Sequence, residues 1–163
     1  MYKIKIVLIF ITIAFSLATG AQVAKVSLQA SGLTCSMCSN SINKALKTLD
    51  FVEKIDADIK TYTFEISFKP NSNVDFDKIK KKVEDAGFTV SGFVATILFN
   101  NVQVNNNQPV TIGDKTFLFV NIKDDLLNGA KEVKVLSKGF VSSKEYKRNS
   151  LPVLSPGTYH ATI

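Results

Sequence analysis

The sequence is poor in the residues that usually build metal and redox centres. It contains two cysteines, one histidine and no tryptophan in 163 residues. A structural zinc site needs four ligands, so two cysteines do not complete one. The tryptophan that flanks a thioredoxin-like cysteine pair is also missing. These absences leave Cys35 and Cys38 as the main candidates for chemistry.

The chain also lacks an apolar run long enough to cross a membrane. Lys3 and Lys5 precede an apolar stretch from Ile6 to about Ala18, which is shorter than the roughly 18 residues of a spanning helix. Small residues follow it, and this layout is typical of a cleaved secretory signal peptide. We therefore expect residues 1–21 to be a signal peptide, no membrane segment to remain, and the mature protein to be periplasmic or secreted. The alternative is that this stretch is not cleaved and anchors the protein in a membrane.

The charge pattern argues against nucleic-acid binding and hydrolysis. The formal net charge is +6, but the lysines are scattered and no platform of aromatic and basic residues is present. The aspartates at 56, 58, 75 and 77 alternate with apolar residues and suggest strand faces or helix caps, not a catalytic carboxylate pair. The sequence therefore predicts no enzyme and no nucleic-acid partner. Residues 138–148, KGFVSSKEYKR, suggest either a docking patch for an acidic partner or a solvated strand end.

Hydrophobic periodicity predicts an α+β fold with a ferredoxin-like βαββαβ order over residues 22–96. Alternating apolar residues indicate strands, and apolar spacings of three and four indicate two helices. Asp75 can cap the second helix and Gly87 can end it. Residues 97–163 predict a small β-rich module, in which 105–115 is a connector and 124–131 a short helical turn. The boundary is soft, because no linker separates the two parts.

The cysteines lie in the stretch GLTCSMC, residues 32–38, between the first predicted strand and helix. A disulfide that closes so short a loop would restrict the unfolded chain little, which favours a chemical role for the pair. Cys38 lies near a helix N-terminus, which favours its thiolate. Two thiolates select soft ions, and a two-sulfur site suits Cu(I) or Hg(II). The same two cysteines could instead act as a redox couple.

The loop GLTCSMC and the segment VDFDKIKKKVEDAGFTV, residues 74–90, resemble the heavy-metal-associated domains of copper chaperones, metal-pumping ATPases and the periplasmic mercury-binding protein. The resemblance covers about residues 23–95. It implies that Cys35 and Cys38 are metal ligands, that Leu33 packs under the loop in place of the family's methionine, and that Phe88 shields the ion. Met37 is either a third soft ligand or an exposed residue.

The resemblance further implies a metal carrier, with Cu(I) as the first cargo and Hg(II) or Zn(II) as alternatives. Transfer by ligand exchange would need a protein partner, such as a membrane metal transporter or another soft-metal protein. A mercury scavenger of the same fold and a thiol-disulfide redox protein are the other hypotheses. His160, the only histidine, is either a structural residue or a ligand of a second site.

Overall fold

A computed structural model describes residues 22–34, 36–149 and 151–163, and it contains three helices and eight strands in these ranges. The elements are β1 (Gln22–Ser31), α1 (Ser36–Leu46), β2 (Val52–Asp58), β3 (Thr63–Phe68), α2 (Phe76–Asp85), β4 (Thr89–Val104), β5 (Pro109–Ile112), β6 (Lys115–Phe119), β7 (Asp125–Val135), α3 (Ser143–Asn149) and β8 (Thr158–Thr162). None of the helices in these ranges has the length and apolar character needed to cross a membrane. The predicted signal peptide, residues 1–21, lies outside the described residues.

The first six elements form the predicted ferredoxin-like unit. Its four strands lie in the order β2-β3-β1-β4, and every neighbouring pair is antiparallel. One face of this sheet is apolar, because Val26 and Leu28 on β1 are fully buried whereas Ser27 and Gln29, which alternate with them, are not. Buried side chains of α1 and α2 join the same core cluster. The predicted α+β class and ferredoxin-like order are therefore confirmed.

The ends of α2 follow from local sequence. The Asp75 side chain accepts a hydrogen bond from the Lys78 backbone N–H at 3.0 Å, as an N-cap residue should. At the other end, the Gly87 N–H donates to the Glu84 carbonyl and the Phe88 N–H to the Val83 carbonyl, at 2.9 and 3.1 Å. This pair of bonds is the Schellman motif, and Gly87 supplies the required positive φ of 90°.

The C-terminal part extends the same sheet. The full strand order is β2-β3-β1-β4-β7-β8-β6-β5, with a parallel pairing only between β6 and β8. Residue 96, the predicted boundary, lies inside β4, which pairs with β1 over its first half and with β7 along most of its length. The strands after residue 97 add to the first sheet and do not form a separate barrel. The division into two domains stays a prediction.

Three expectations about local structure in the C-terminal part were wrong. Residues 124–131 form no helical turn, because Asp125–Val135 is the strand β7 and pairs with β4. The connector 105–115 contains β5, which forms a hairpin with β6. In addition, residues 138–148 are no strand end, because they include the helix α3.

Helix α3 lies over the face of the sheet opposite α1 and α2. Lys134 alternates with the buried Val133 and Val135 on β7, so its side chain points away from the main core. Its ammonium pairs with the Glu145 carboxylate of α3 at 2.6 Å. A second apolar cluster forms here from Val120, Leu136 and Val141, with Tyr146 and Leu151 against it.

Candidate metal centre

The loop between β1 and α1 positions the predicted ligands. Cys38 lies in the first turn of α1, is half-buried, and packs against the main core. Cys35, which immediately precedes α1, lies outside the described residues. The predicted helix N-terminus at this point of the chain is therefore present, with Cys38 in its first turn as expected. The role of both cysteines as ligands stays a prediction.

Gly32 turns the chain from β1 into the loop. Its φ is +90°, a conformation that residues with a Cβ rarely adopt. A Cβ at this position would lie 3.9 Å from Cδ1 of Phe88, which is an ordinary contact. The glycine is therefore needed for its backbone angle and not for space. The same distance places the Phe88 ring beside the start of the loop.

The residues around the cysteines divide into buried and exposed ones. Leu33 is buried, with 7% of its surface exposed, so it lies under the loop as the resemblance implied. Met37 is 78% exposed. An exposed thioether in contact with solvent favours the interpretation of Met37 as a surface residue over that of a third ligand.

Two polar groups on α1 were not foreseen from the sequence. Ser39 Oγ and Asn43 Oδ1 are buried and have no hydrogen-bond partner among the described residues. Ser39 follows Cys38 directly and Asn43 lies one turn further along the helix. The sequence signal for them is weak, because a serine and an asparagine four residues apart are common on solvated helix faces.

His160 lies on β8, far from the loop in sequence. It is 1% exposed, its backbone N–H donates to Ser137 Oγ at 2.9 Å, and its carbonyl accepts from the Leu136 N–H at 2.8 Å. Burial lowers the pKa of its imidazole below the ordinary value. Among the described residues, no group of three or more His, Cys, Asp or Glu side chains could hold a metal ion. His160 is thus a buried residue of the sheet and not part of a second described metal cluster.

The aspartates singled out in the sequence have structural surroundings. Asp75 caps α2, and Asp77 accepts a hydrogen bond from the Tyr159 hydroxyl at 2.8 Å. Asp58 accepts one from the Lys60 backbone N–H at 2.9 Å and another from the Thr61 hydroxyl. These bonds, the first of them above all, hold the pKa of the Asp58 carboxyl below its ordinary value. Asp56 pairs with Lys54 at 2.8 Å on the exposed surface.

Comparison with known proteins gives a family match over the part of the chain that holds the loop. Residues 27–89 match the model of the heavy-metal-associated domain. The chain is 38% identical over 69 residues to a probable copper-transporting ATPase, HMA5, of Arabidopsis thaliana, and 36% identical over 64 residues to a probable copper-exporting P-type ATPase of Archaeoglobus fulgidus. These matches cover 42% and 39% of this chain, but only 7% and 8% of the two relatives.

Two solved structures with similar sequences are domains of copper proteins. The yeast copper transporter domain CCC2A is 34% identical, and the match covers 41% of this chain and 90% of that one, with a TM-score of 0.36. A copper-binding domain from HMA7, a P-type ATPase, is 33% identical over 47% of this chain and 95% of that one, with a TM-score of 0.38.

Proposed function

Because residues 27–89 form a heavy-metal-associated domain, we propose that this protein is an exported carrier that holds one Cu(I) ion between Cys35 and Cys38. Relatives of this domain are copper-transporter domains, which supports binding and transfer of a heavy metal. The choice of copper for this chain, the two ligands and the export are our proposal. We assign no catalysis to the protein.

The observation that carries the proposal is the position of Cys38. It lies in the first turn of α1, where backbone N–H groups without helical partners favour a thiolate. Cys35 precedes it by three residues at the end of a loop that Gly32 turns, so two sulfurs can meet one ion. Thiolates prefer Cu(I), and a two-sulfur site needs no further ligand for that ion.

Transfer would proceed by ligand exchange. A Cu–S bond to a partner's thiolate forms as a Cu–S bond to Cys35 or Cys38 breaks, so no electron is transferred. The exposed side of the loop supports this route, because Met37 between the two cysteines is largely in solvent. The partner would be a membrane metal transporter or another soft-metal protein. Export rests on residues 1–21, which have the layout of a signal peptide.

Two alternatives use the same cysteines. Hg(II) also accepts two thiolates, so a mercury scavenger would have the same site. Zn(II) prefers four ligands, and the described residues offer no cluster to complete its shell. A thiol-disulfide redox protein would use the pair without metal, and metal would inhibit it.

The experiment is an anaerobic titration of the reduced protein with Cu(I) against a competing chelator. We expect one tightly bound equivalent in the wild type and none in the Cys35→Ser/Cys38→Ser variant. Parallel titrations with Hg(II) and Zn(II) rank the three ions by their affinity for the protein. Binding that is unchanged in the double variant would refute the two-thiolate site. A protein that binds no soft metal but exchanges disulfides with a thiol substrate would favour the redox alternative.

A further inference from the structure

The C-terminal part carries a positively charged surface, which we call the basic ridge and define as Lys138, Lys144, Lys147 and Arg148. All four side chains are exposed. Between residues 138 and 149 the only acidic residue is Glu145, and its carboxylate is engaged by Lys134 at 2.6 Å. This stretch therefore carries four basic side chains against one acidic side chain, an excess of positive charge.

The register of the sheet places the basic ridge beside the metal loop. β7 runs antiparallel to β4, with Lys134 opposite Val94, so the chain leaves β7 at the end of the sheet where β4 begins. β1 ends at the same place, with Ser31 opposite Thr89. Their hydroxyls are 2.7 Å apart. The loop with the cysteines and the segment 136–143 therefore both follow strands that finish at the same end of the sheet.

A cavity of about 500 Å³ lies between the two segments. Ser31 and Thr89 line it on the side of the loop, and Lys138 and Lys147 on the side of the basic ridge. Ser31 precedes Gly32, and Thr89 follows Phe88, whose ring lies beside Gly32. One carboxylate, that of Glu84, also lines the cavity, so lysines outnumber acids there by two to one.

The segment 136–143 is held in place by an aromatic cluster. Phe140 is 2% exposed, and its ring lies edge-on to Phe93 of β4 at 5.1 Å and to Tyr159 of β8 at 5.5 Å. The Lys80 ammonium of α2 lies over the same ring, 5.2 Å from its centre. The basic ridge is therefore fixed relative to the domain that carries the loop and does not depend on a linker.

We propose that the basic ridge docks an acidic surface of the protein that exchanges the metal ion with Cys35 and Cys38, an inference that rests on the proposed function. Ligand exchange brings a partner's sulfur to the loop, so the partner must also cover the neighbouring cavity. Carboxylates on this part of the partner's surface would then face the basic ridge. Charge complementarity of this kind acts mainly on the association rate and weakens with salt. The C-terminal part would then add partner recognition to the metal-binding domain.

The test uses two synthetic acceptor peptides that carry one Cys-x-x-Cys pair, flanked by glutamates in one and by glutamines in the other. Cu(I) transfer from the loaded protein is followed by anaerobic stopped-flow at low and high salt. For the glutamate peptide at low salt, we expect Lys138→Glu/Lys147→Glu to slow transfer by about tenfold or more. Transfer to the glutamine peptide should be unchanged, as should the equilibrium affinity for Cu(I) measured with a chelator.

The matched control is Lys47→Glu/Lys123→Glu, which makes the same charge change at exposed residues. Lys47 follows the end of α1 and Lys123 precedes β7, so both lie at the opposite end of the sheet. Equal rates in wild type and ridge variant, or an equal loss in the control, would overturn the docking proposal. A wild type that binds no Cu(I) would instead refute the proposed function.

A second measurement separates docking from metal binding. The Cys35→Ser/Cys38→Ser protein is titrated into a fluorescent glutamate peptide without cysteines, and anisotropy is recorded. Salt-sensitive binding that Lys138→Glu/Lys147→Glu removes supports the basic ridge, whatever the fate of the copper proposal. Absence of binding, or binding that the ridge variant retains, overturns it.

Discussion

Phe88 follows α2 and lies beside the start of the loop that leads to the candidate metal centre. It is half-buried, packs against the main core, and lies beside Gly32. We expect an aromatic ring in this position to limit the access of water and oxidants to the sulfur atoms, as the family resemblance implies. Since a thiolate must be reached by an oxidant before it forms a disulfide, the ring should slow oxidation of the metal-free pair.

We expect Phe88→Ala to speed formation of the Cys35–Cys38 disulfide in air by severalfold, while Phe88→Leu retains most of the protection. The measurement is the loss of free thiols with time in the reduced, metal-free protein. If the alanine and wild-type proteins lost their thiols at the same rate, Phe88 would have no shielding role.

His160 gives the protein a dependence of stability on pH. Burial lowers the pKa of its imidazole in the folded protein below the ordinary value of about 6.5. The unfolded chain therefore takes up a proton first as the pH falls, and stability is lost from about pH 6.5 down to the lower folded pKa. Above about pH 6.5 the imidazole is neutral in both the folded and the unfolded protein, so it does not change the stability.

The expected result is that the free energy of unfolding falls less between about pH 7 and about pH 5 in His160→Gln than in the wild type. Urea unfolding at each pH measures it. An identical fall in the two proteins would assign the acid sensitivity to other groups, such as the carboxylates.

Residue-level properties could be predicted from the sequence where they depend on neighbours along the chain. The burial of Leu33 agrees with its expected place under the loop, and the exposure of Met37 favours one of the two interpretations given for it. The sequence could not reveal that Ser31 and Thr89 share a hydrogen bond or that Lys138 faces them across a cavity. Those relations depend on strand register, which joins residues far apart in sequence.

The element that positions Phe88 is the C-terminal end of α2. Gly87 adopts a φ of +90°, and a Cβ there would meet nothing within 4 Å. Substitution therefore costs only backbone strain, about 1–2 kcal/mol for a residue with a Cβ. The Schellman motif then directs Phe88 back towards the loop.

We predict that Gly87→Ala lowers the free energy of unfolding by about 1 kcal/mol, and that Gly87→Asn costs less because asparagine tolerates positive φ better. Chemical denaturation of the wild type and of the two variants measures these differences in the free energy of unfolding. An alanine variant as stable as the wild type would mean that the helix ends differently.

Elements were predictable to different degrees in the two parts. In residues 22–96 both helices and most strands have a clear period, and only β2 shows a weak one, so local pattern was sufficient. Residues 124–131 contain Leu126, Leu127 and a glycine, which suit a turn locally, but pairing with β4 makes them a strand. β5 has four residues and α3 seven, so neither is long enough to show a period.

At the scale of the whole molecule, one sheet joins the two parts. β4 belongs to the ferredoxin-like unit and also pairs with β7. Phe76 of α2 contacts the Tyr159 ring of β8 at 5.5 Å, and the Tyr159 hydroxyl donates to Asp77. Burial, and then this hydrogen bond, raise the pKa of Tyr159 well above its ordinary value. The parts therefore share a core.

A shared core predicts one cooperative unfolding transition. Urea curves from far-ultraviolet circular dichroism and from tyrosine fluorescence should coincide. Phe140→Ala should shift both curves together and cost about 3–5 kcal/mol, whereas Val153→Ala, at a side chain 77% exposed, should change neither. Two separate transitions would instead show that residues 97–163 fold on their own.

In the proposed function, Cys35 and Cys38 together bind one Cu(I) ion. X-ray absorption at the copper edge of the Cu(I)-loaded protein tests this binding, because it identifies the atoms bonded to the metal. We predict that two sulfur atoms coordinate the copper and that this coordination is lost in the Cys35→Ser/Cys38→Ser variant. Coordination by nitrogen or oxygen atoms, or a spectrum unchanged in that variant, would refute the two-thiolate site.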